Sequence, residues 1–182
     1  SPWFLKLNKY NFNDLLSKLK VAETKKLSVA VAQDEPVLEA VKAAKDRGIA
    51  DAVLVGDKAK IEEVAAKIDM DLTNFEIIHE EDVKKATLRA IQLVSSGAAD
   101  MVMKGLVDTA TFLRSVLNKE VGLRTGKLMS HVSVFEIQGI DRLILLTDAA
   151  FNTYPDLKQK VEIINNSVMV AKSCGIQNPK VA

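Results

Sequence analysis

Cysteine is almost missing from this chain of 182 residues, and the one present, Cys174, excludes an internal disulfide framework and fits a reducing compartment. Two histidines, His79 and His131, lie far apart in sequence, so the raw material for a zinc site is lacking and no metal is expected. Glycine is scarce, at 8 residues, and neither a Walker phosphate loop nor the glycine fingerprint of dinucleotide-binding folds occurs. Nucleotide hydrolysis and hydride transfer therefore lose their usual supports. No excess of one charge exists either: Lys+Arg 25 stand against Asp+Glu 24, mixed along the chain. Without a basic tract or an acidic tail, no nucleic-acid partner is expected, and any anion site must be local. No apolar run approaches the roughly 18 to 20 residues of a membrane span. The opening SPWFLKLNKYNF lacks a basic segment followed by a long apolar one. No membrane association is expected, and the cytoplasm is the default address.

What is present is a globular composition, 48% hydrophobic and 27% charged, long enough to bury a core. Short β-branched runs alternate with segments of helical period. SVAVAQ (28–33) predicts a buried strand, followed by a helix over 35–47 that Gly48 stops. DAVLVG (51–56), FEIIHE (75–80) and ADMVMKG (99–105) repeat the cycle, with helices over 57–68, 81–95 and 109–119. Four such units predict an α/β fold: an open, mostly parallel sheet with helices on both faces. The strand runs 128–138 and 142–150 are separated only by Gly139-Ile140-Asp141, too short for a parallel crossover, so an antiparallel hairpin is expected there. Helices over 12–22, capped by Asn13, and over 155–173 complete the pattern. Residues 1–150 read as a first α/β domain, and 151–182 as a connecting helix and the start of a second, incomplete domain, because the chain stops where another strand would begin.

In open α/β sheets ligands lie beyond the carboxyl ends of strands, where strand order reverses. In MVMKGLVDTATFLR (101–114), Lys104 and Gly105 fall at a strand end, and Asp108 or Thr109 can cap the next helix, whose free N–H groups favour an anion. Arg114, a little over one turn beyond Thr109, adds a guanidinium if it reaches back. The same residues equally suit a solvated strand end, an ordinary cap and a wet helix face. Further on, Arg124 and Lys127 lie in a loop leading into the strand run that carries Ser130 and His131. His131 suits either acid–base work or a structural hydrogen bond. Thr147 and Asp148 end an apolar strand, with Asn152 just beyond, where either ligand contacts or turn hydrogen bonds explain them. The end of the first strand, Ala32-Gln33-Asp34-Glu35-Pro36, is explained by capping alone.

The runs ADMVMKGLVDTATFLRSVLNKEVGLRTGKLMSHVSVFEI and DRLILLTDAAFNTYPDLKQKVEIINNSV together resemble the phosphate acetyl/butyryltransferase family, nearer its butyryl branch than its acetyl one. The resemblance covers nearly the whole chain from Lys25 onward. It implies reversible acyl transfer from butanoyl-CoA to inorganic phosphate, giving butanoyl phosphate and coenzyme A. Acetyl or branched-chain acyl transfer, or a non-catalytic phosphate- or nucleotide-binding module, are the alternatives. It also implies a two-domain fold similar to isocitrate and isopropylmalate dehydrogenases, an active site in the cleft between domains, and a homodimer or larger assembly. Acyl-CoA and phosphate would be substrates, with no bound cofactor. By the same resemblance Lys104, Gly105, Thr109 and Arg114 form a phosphate cradle, and Ser130, His131, Thr147, Asp148 and Asn152 belong to the substrate site. Family members are longer than this chain. The Ser–Arg pair and acidic residue credited with activating the thiol lie beyond its end, so no catalytic residue is assigned within it.

Overall fold

The computed structural model describes residues 11–21 and 23–182, so the expectation about the opening residues 1–10 falls outside it. Helix α1 (Phe12–Val21) starts where its pattern predicts. Its cap is Asn11 rather than Asn13: the Asn11 side chain accepts from the Asp14 N–H at 3.1 Å, and the Asp14 carboxylate accepts from the Asn11 N–H at 2.9 Å. Next come β1 (Lys25–Ala30), α2 (Glu35–Asp46), β2 (Ala50–Gly56), α3 (Lys58–Lys67), β3 (Glu76–His79), α4 (Val83–Ser95), β4 (Met101–Lys104) and α5 (Thr109–Val116). Two further strands, β5 (Val132–Glu136) and β6 (Leu143–Thr147), precede the long α6 (Leu157–Ser173).

Strands β1 to β4 form one parallel sheet in the order β3-β2-β1-β4. Their near-continuous apolar runs follow from burial on both faces. Val29, Ala52 and Leu54 pack with Leu38 and Val41 of α2 and with Ile61 and Ala65 of α3. Ala30, Val53 and Val55 point the other way, against Ala86 and Ala90 of α4. The alternation along a strand thus feeds two cores. Ser28, fully buried on the α4 side, donates its hydroxyl to the Ala90 carbonyl at 2.7 Å, which satisfies the polar atom it brings into that core.

The expected hairpin is present. β5 and β6 pair antiparallel, from Val132 opposite Thr147 to Glu136 opposite Leu143. The Phe12 N–H of α1 donates to the Glu136 carboxylate at 2.8 Å, which ties that helix to the hairpin's far end. Two compact units result: Lys20–Thr125, which carries the parallel sheet, and Gly126–Ala182 with the segment up to Leu19, which carries the hairpin and α6. The division falls at residue 126 rather than 150, because β5 and β6 pair only with each other and β6 packs on α6.

Helix α6 begins at Leu157 and not at Pro155. Asp156 caps it by accepting from the Gln159 N–H at 2.8 Å, while the Gln159 side chain accepts from the Asp156 N–H at 2.9 Å. Asp156→Ala removes half of this reciprocal pair and is expected to cost about 1 kcal/mol, read as a lower midpoint in urea unfolding. Among the described residues, no helix is long and apolar enough to cross a membrane.

Candidate functional site

The parallel sheet reverses its strand order between β1 and β4. From β1 the chain moves outward through β2 to β3, with α2 and α3 on one face, then returns along the other face in α4 to lay β4 on the free side of β1. Helices leave β1 and β4 on opposite faces, so a crevice opens beyond the carboxyl ends of these two strands. Lys104 pairs with Ala30 at this end.

The backbone here is shaped for close approach. Val31, just past β1, has φ +60, a left-handed conformation that a β-branched residue rarely adopts. As a result two consecutive carbonyls aim at the other strand: Ala30 O accepts from the Gly105 N–H and Val31 O from the Leu106 N–H, each at 2.8 Å. The Ala32 N–H meanwhile bonds Val55 O at 3.0 Å, so all three strands are clasped at one point. Gly105 fits only because it has no side chain: a Cβ would run into both carbonyl oxygens, 2.5 Å from that of Ala30.

Lys104 folds over the turn that follows, its Nζ donating to Val107 O at 2.7 Å. Asp108, not Thr109, caps α5 by accepting from the Thr111 N–H at 2.8 Å. The Thr111 hydroxyl first, and then its N–H, holds the Asp108 carboxyl below its ordinary value, with the Arg114 charge adding to the effect. Arg114 does reach back: its Nη2 donates to Thr111 Oγ1 at 3.2 Å, one turn toward the helix start. Thr109 and Ala110 occupy the first helical positions, where backbone N–H groups lack intrahelical partners. Beside them stand two exposed cations, Lys104 and Arg114. The arrangement can receive a small anion at the N–H groups of Thr109 and Ala110, whereas the Thr111 N–H is already taken.

The second group of residues lies in the hairpin unit. Asp148 takes the Ala150 and Phe151 N–H groups on one oxygen, at 3.0 and 2.9 Å, and the Asn152 amide on the other. Burial pushes its carboxyl up, but these donors, with the His131 N–H, outweigh burial and hold it down at about 2. Asn152 also donates to Met129 O at 3.0 Å, and Thr147 donates its hydroxyl to His131 O at 2.7 Å. Thr147, Asp148 and Asn152 thereby tie the segment 129–131 to the end of β6. The His131 ring lies edge-on to Phe151, centroids 5.5 Å apart, with Ser133 Oγ 3.5 Å from its Nδ1. Ser130 Oγ accepts from the Asn166 amide of α6 at 2.8 Å.

Two residues here escape sequence reasoning, and a third, Gln33, is more than the capping segment it is read as. Thr111 links Asp108 to Arg114, Asn166 reaches Ser130, and Gln33 lies at the crevice with its buried Oε1 unpaired in the space Gly56 leaves by lacking a side chain. Only Gln33 had a signal, its place directly after the first strand. Among the described residues, no three His, Cys, Asp or Glu side chains gather into a metal-ligand set.

Comparison with known proteins places these features in context. Residues 11–88 and 78–182 match the family model described as Phosphate acetyl/butaryl transferase. The chain is 68% identical over 172 residues to the phosphate butyryltransferase of Clostridium beijerinckii, covering 94% of this chain and 57% of that protein. It is 35% identical to the phosphate acetyltransferase of Thermotoga maritima, covering 94% of this chain and 58% of that one. A branched-chain phosphotransacylase from Enterococcus faecalis superimposes with a TM-score of 0.67 at 25% identity, over 86% of this chain and 54% of that one. The chain therefore spans little more than half the length of the curated relatives it matches.

Proposed function

The chain belongs to the phosphate acetyl/butyryl transferase family, and from that premise we propose that the natural protein carrying these residues is a phosphate butyryltransferase. It transfers the acyl group of butanoyl-CoA to inorganic phosphate and runs the reverse reaction as well. The observation that carries the butyryl assignment is the far higher identity to a butyryl than to an acetyl enzyme over the same share of the chain.

The chemistry asks for what the crevice offers. A hydrogenphosphate oxygen attacks the thioester carbonyl carbon, a tetrahedral oxyanion forms, and the C–S bond breaks. The acyl group leaves as butanoyl phosphate, while the phosphate's proton ends on the departing sulfur as coenzyme A thiol. Desolvating and aiming the phosphate needs fixed cations and N–H groups. Lys104, Arg114 and the start of α5 supply both at one strand end, and Gly105 lets the backbone come close. In the hairpin unit by itself, Thr147, Asp148 and Asn152 brace the segment 129–131 that carries Ser130 and His131, which the same reading counts among the substrate-binding residues.

The same reading includes a fold related to isocitrate and isopropylmalate dehydrogenases, supported by the parallel sheet covered on both faces. It includes turnover without a bound cofactor or metal, which direct displacement by phosphate does not require. A cytoplasmic address is supported by the single unpaired Cys174. A homodimer or larger assembly is supported by the exposed Leu157, Val161 and Ile164, spaced along one side of α6.

Phosphate-dependent release of free thiol from butanoyl-CoA and acetyl-CoA tests the activity in the natural protein. Faster release from butanoyl-CoA is expected, and no release from either substrate refutes the assignment. Arg114→Ala is expected to raise the KM for phosphate about tenfold or more while leaving that for butanoyl-CoA nearly unchanged. An unchanged phosphate KM removes Arg114 from the cradle.

A further inference from the structure

Arg114 is an exposed cation on α5, and the group that holds it is neutral. Its Nη2 donates to Thr111 Oγ1 at 3.2 Å, and among the described residues it makes no other hydrogen bond and no ion pair. The Asp108 carboxylate attracts it through space, but the bond itself goes to the hydroxyl. A guanidinium can only donate and an ionised carboxylate can only accept. The Thr111 hydroxyl bonds both, so it accepts from Arg114 and gives its one proton to Asp108, whose carboxylate also takes the Thr111 N–H at 2.8 Å. Residues three apart share a helix face, and their side chains lean toward the helix start, which brings Arg114 over Thr111. The consequence is electrostatic. A carboxylate in direct contact would neutralise the guanidinium, whereas a hydroxyl orients it and leaves its charge and most of its five N–H donors available.

We propose that Thr111 is a positioning residue, whose hydroxyl holds the Arg114 guanidinium at the first turn of α5 with its charge open to the phosphate substrate. This rests on the phosphotransacylase reading above. Every group concerned lies in the sheet unit, on one helix and its cap. Thr111 does not touch substrate in this scheme; it acts through Arg114. Thr111→Val keeps the shape and nearly the helix propensity while removing the hydroxyl. The guanidinium then swings into solvent or closes on Asp108, and either way less positive charge faces the free N–H groups of Thr109 and Ala110. Thr111→Ser keeps the hydroxyl, and with it the bond.

The test measures phosphate-dependent thiol release in the natural protein, its Thr111→Val, Thr111→Ser and Arg114→Ala variants and the Thr111→Val/Arg114→Ala double variant, with thermal unfolding to confirm that each folds. Thr111→Val is expected to raise the KM for phosphate about fivefold to tenfold, the size of one lost hydrogen bond to a charged group. Thr111→Ser should restore it to near the unaltered value, and the KM for butanoyl-CoA is expected to stay put in both. The double variant should be no worse than Arg114→Ala alone. If the unaltered protein turns over but Thr111→Val has a normal phosphate KM, or its effect adds in full to that of Arg114→Ala, this inference fails and the enzyme assignment stands. If Thr111→Val merely unfolds more easily, with both KM values normal, Thr111 is a structural tie and the inference also fails. A rise confined to the KM for butanoyl-CoA would turn Arg114 toward the other substrate and overturn the inference as well. If the unaltered protein releases no thiol from butanoyl-CoA or acetyl-CoA, the assignment falls and takes this inference with it.

Discussion

Gly105→Ala is expected to cost at least about 3 kcal/mol of stability, the upper range for forcing extra volume into a packed site, and to abolish binding at the proposed phosphate cradle. The added methyl meets the backbone oxygens of Ala30 and Val31, which cannot swing aside as a flexible side chain could. Those two carbonyls are also the acceptors for the Gly105 and Leu106 N–H groups, so any shift that relieves the clash breaks the clasp between β1 and β4. Lys104 and the start of α5 are placed by this same turn. A urea titration reads the loss of stability, and phosphate calorimetry reads the loss of binding. A variant with wild-type midpoint would mean that the β1–β4 clasp yields more readily than its geometry indicates.

Asp148→Ala is the second large loss. It removes the shared acceptor of the Ala150 and Phe151 N–H groups and the Asn152 amide, and leaves these donors unpaired in a half-buried turn. Stranding several donors at once is expected to cost about 2–4 kcal/mol. A milder form of the same loss is reached by acid. The carboxyl sits at about 2 in the folded chain against 3.8 ordinarily, so its stabilisation is fully present above pH 4 and disappears as pH falls from there toward 2. At a partly exposed site this amounts to about 1–2 kcal/mol after solvent screening. Unfolding midpoints measured between pH 5 and pH 2 should fall more steeply for the unaltered chain than for Asp148→Asn. Parallel curves would assign the acid sensitivity to other groups.

Much of the sheet is legible in the sequence because both periodicities are strong where the core is deepest. Val41, Leu54 and Ile61 keep their pattern and lie where it puts them, fully or almost fully buried. Element ends are less legible, since they turn on single side chains. β1 begins at Lys25 because its first residues pair with β2 while remaining partly exposed, and it ends at Ala30 because Val31 leaves the extended conformation. Neither event alters the apolar run. The helical pattern reaches back to Pro155, although the reciprocal pairing of Asp156 and Gln159 starts α6 at Leu157. The division at residue 126 is invisible for a related reason: the apolar strands of the hairpin resemble those of the main sheet, and only their pairing partners differ.

The candidate site divides along similar lines. Lys104, Gly105 and Arg114 could be located because a strand end followed by a helix start is a local feature. Asn166 could not, because its contact with Leu128 spans 38 residues and nothing in its own helix marks it. Thr147 and Asp148 lie at the end of β6, and their hydrogen bonds, with those of Asn152, brace the segment 129–131, a role that residue type alone does not separate from ligand contact.

The position of β1 in the middle of its sheet sets an order of events during folding. Its first neighbour, β2, arrives after one helix, whereas its second must wait for most of the unit: Lys26 and Asp100, which meet where β4 begins, are 74 residues apart. Loop closure over that span is entropically dearer and slower than over the short one. The half of the crevice that carries Lys104 is therefore assembled last on a growing chain. Pulse-labelled amide exchange should find the β2 amides protected before those of β4, and the opposite order would show that a chain can recruit its most distant strand first.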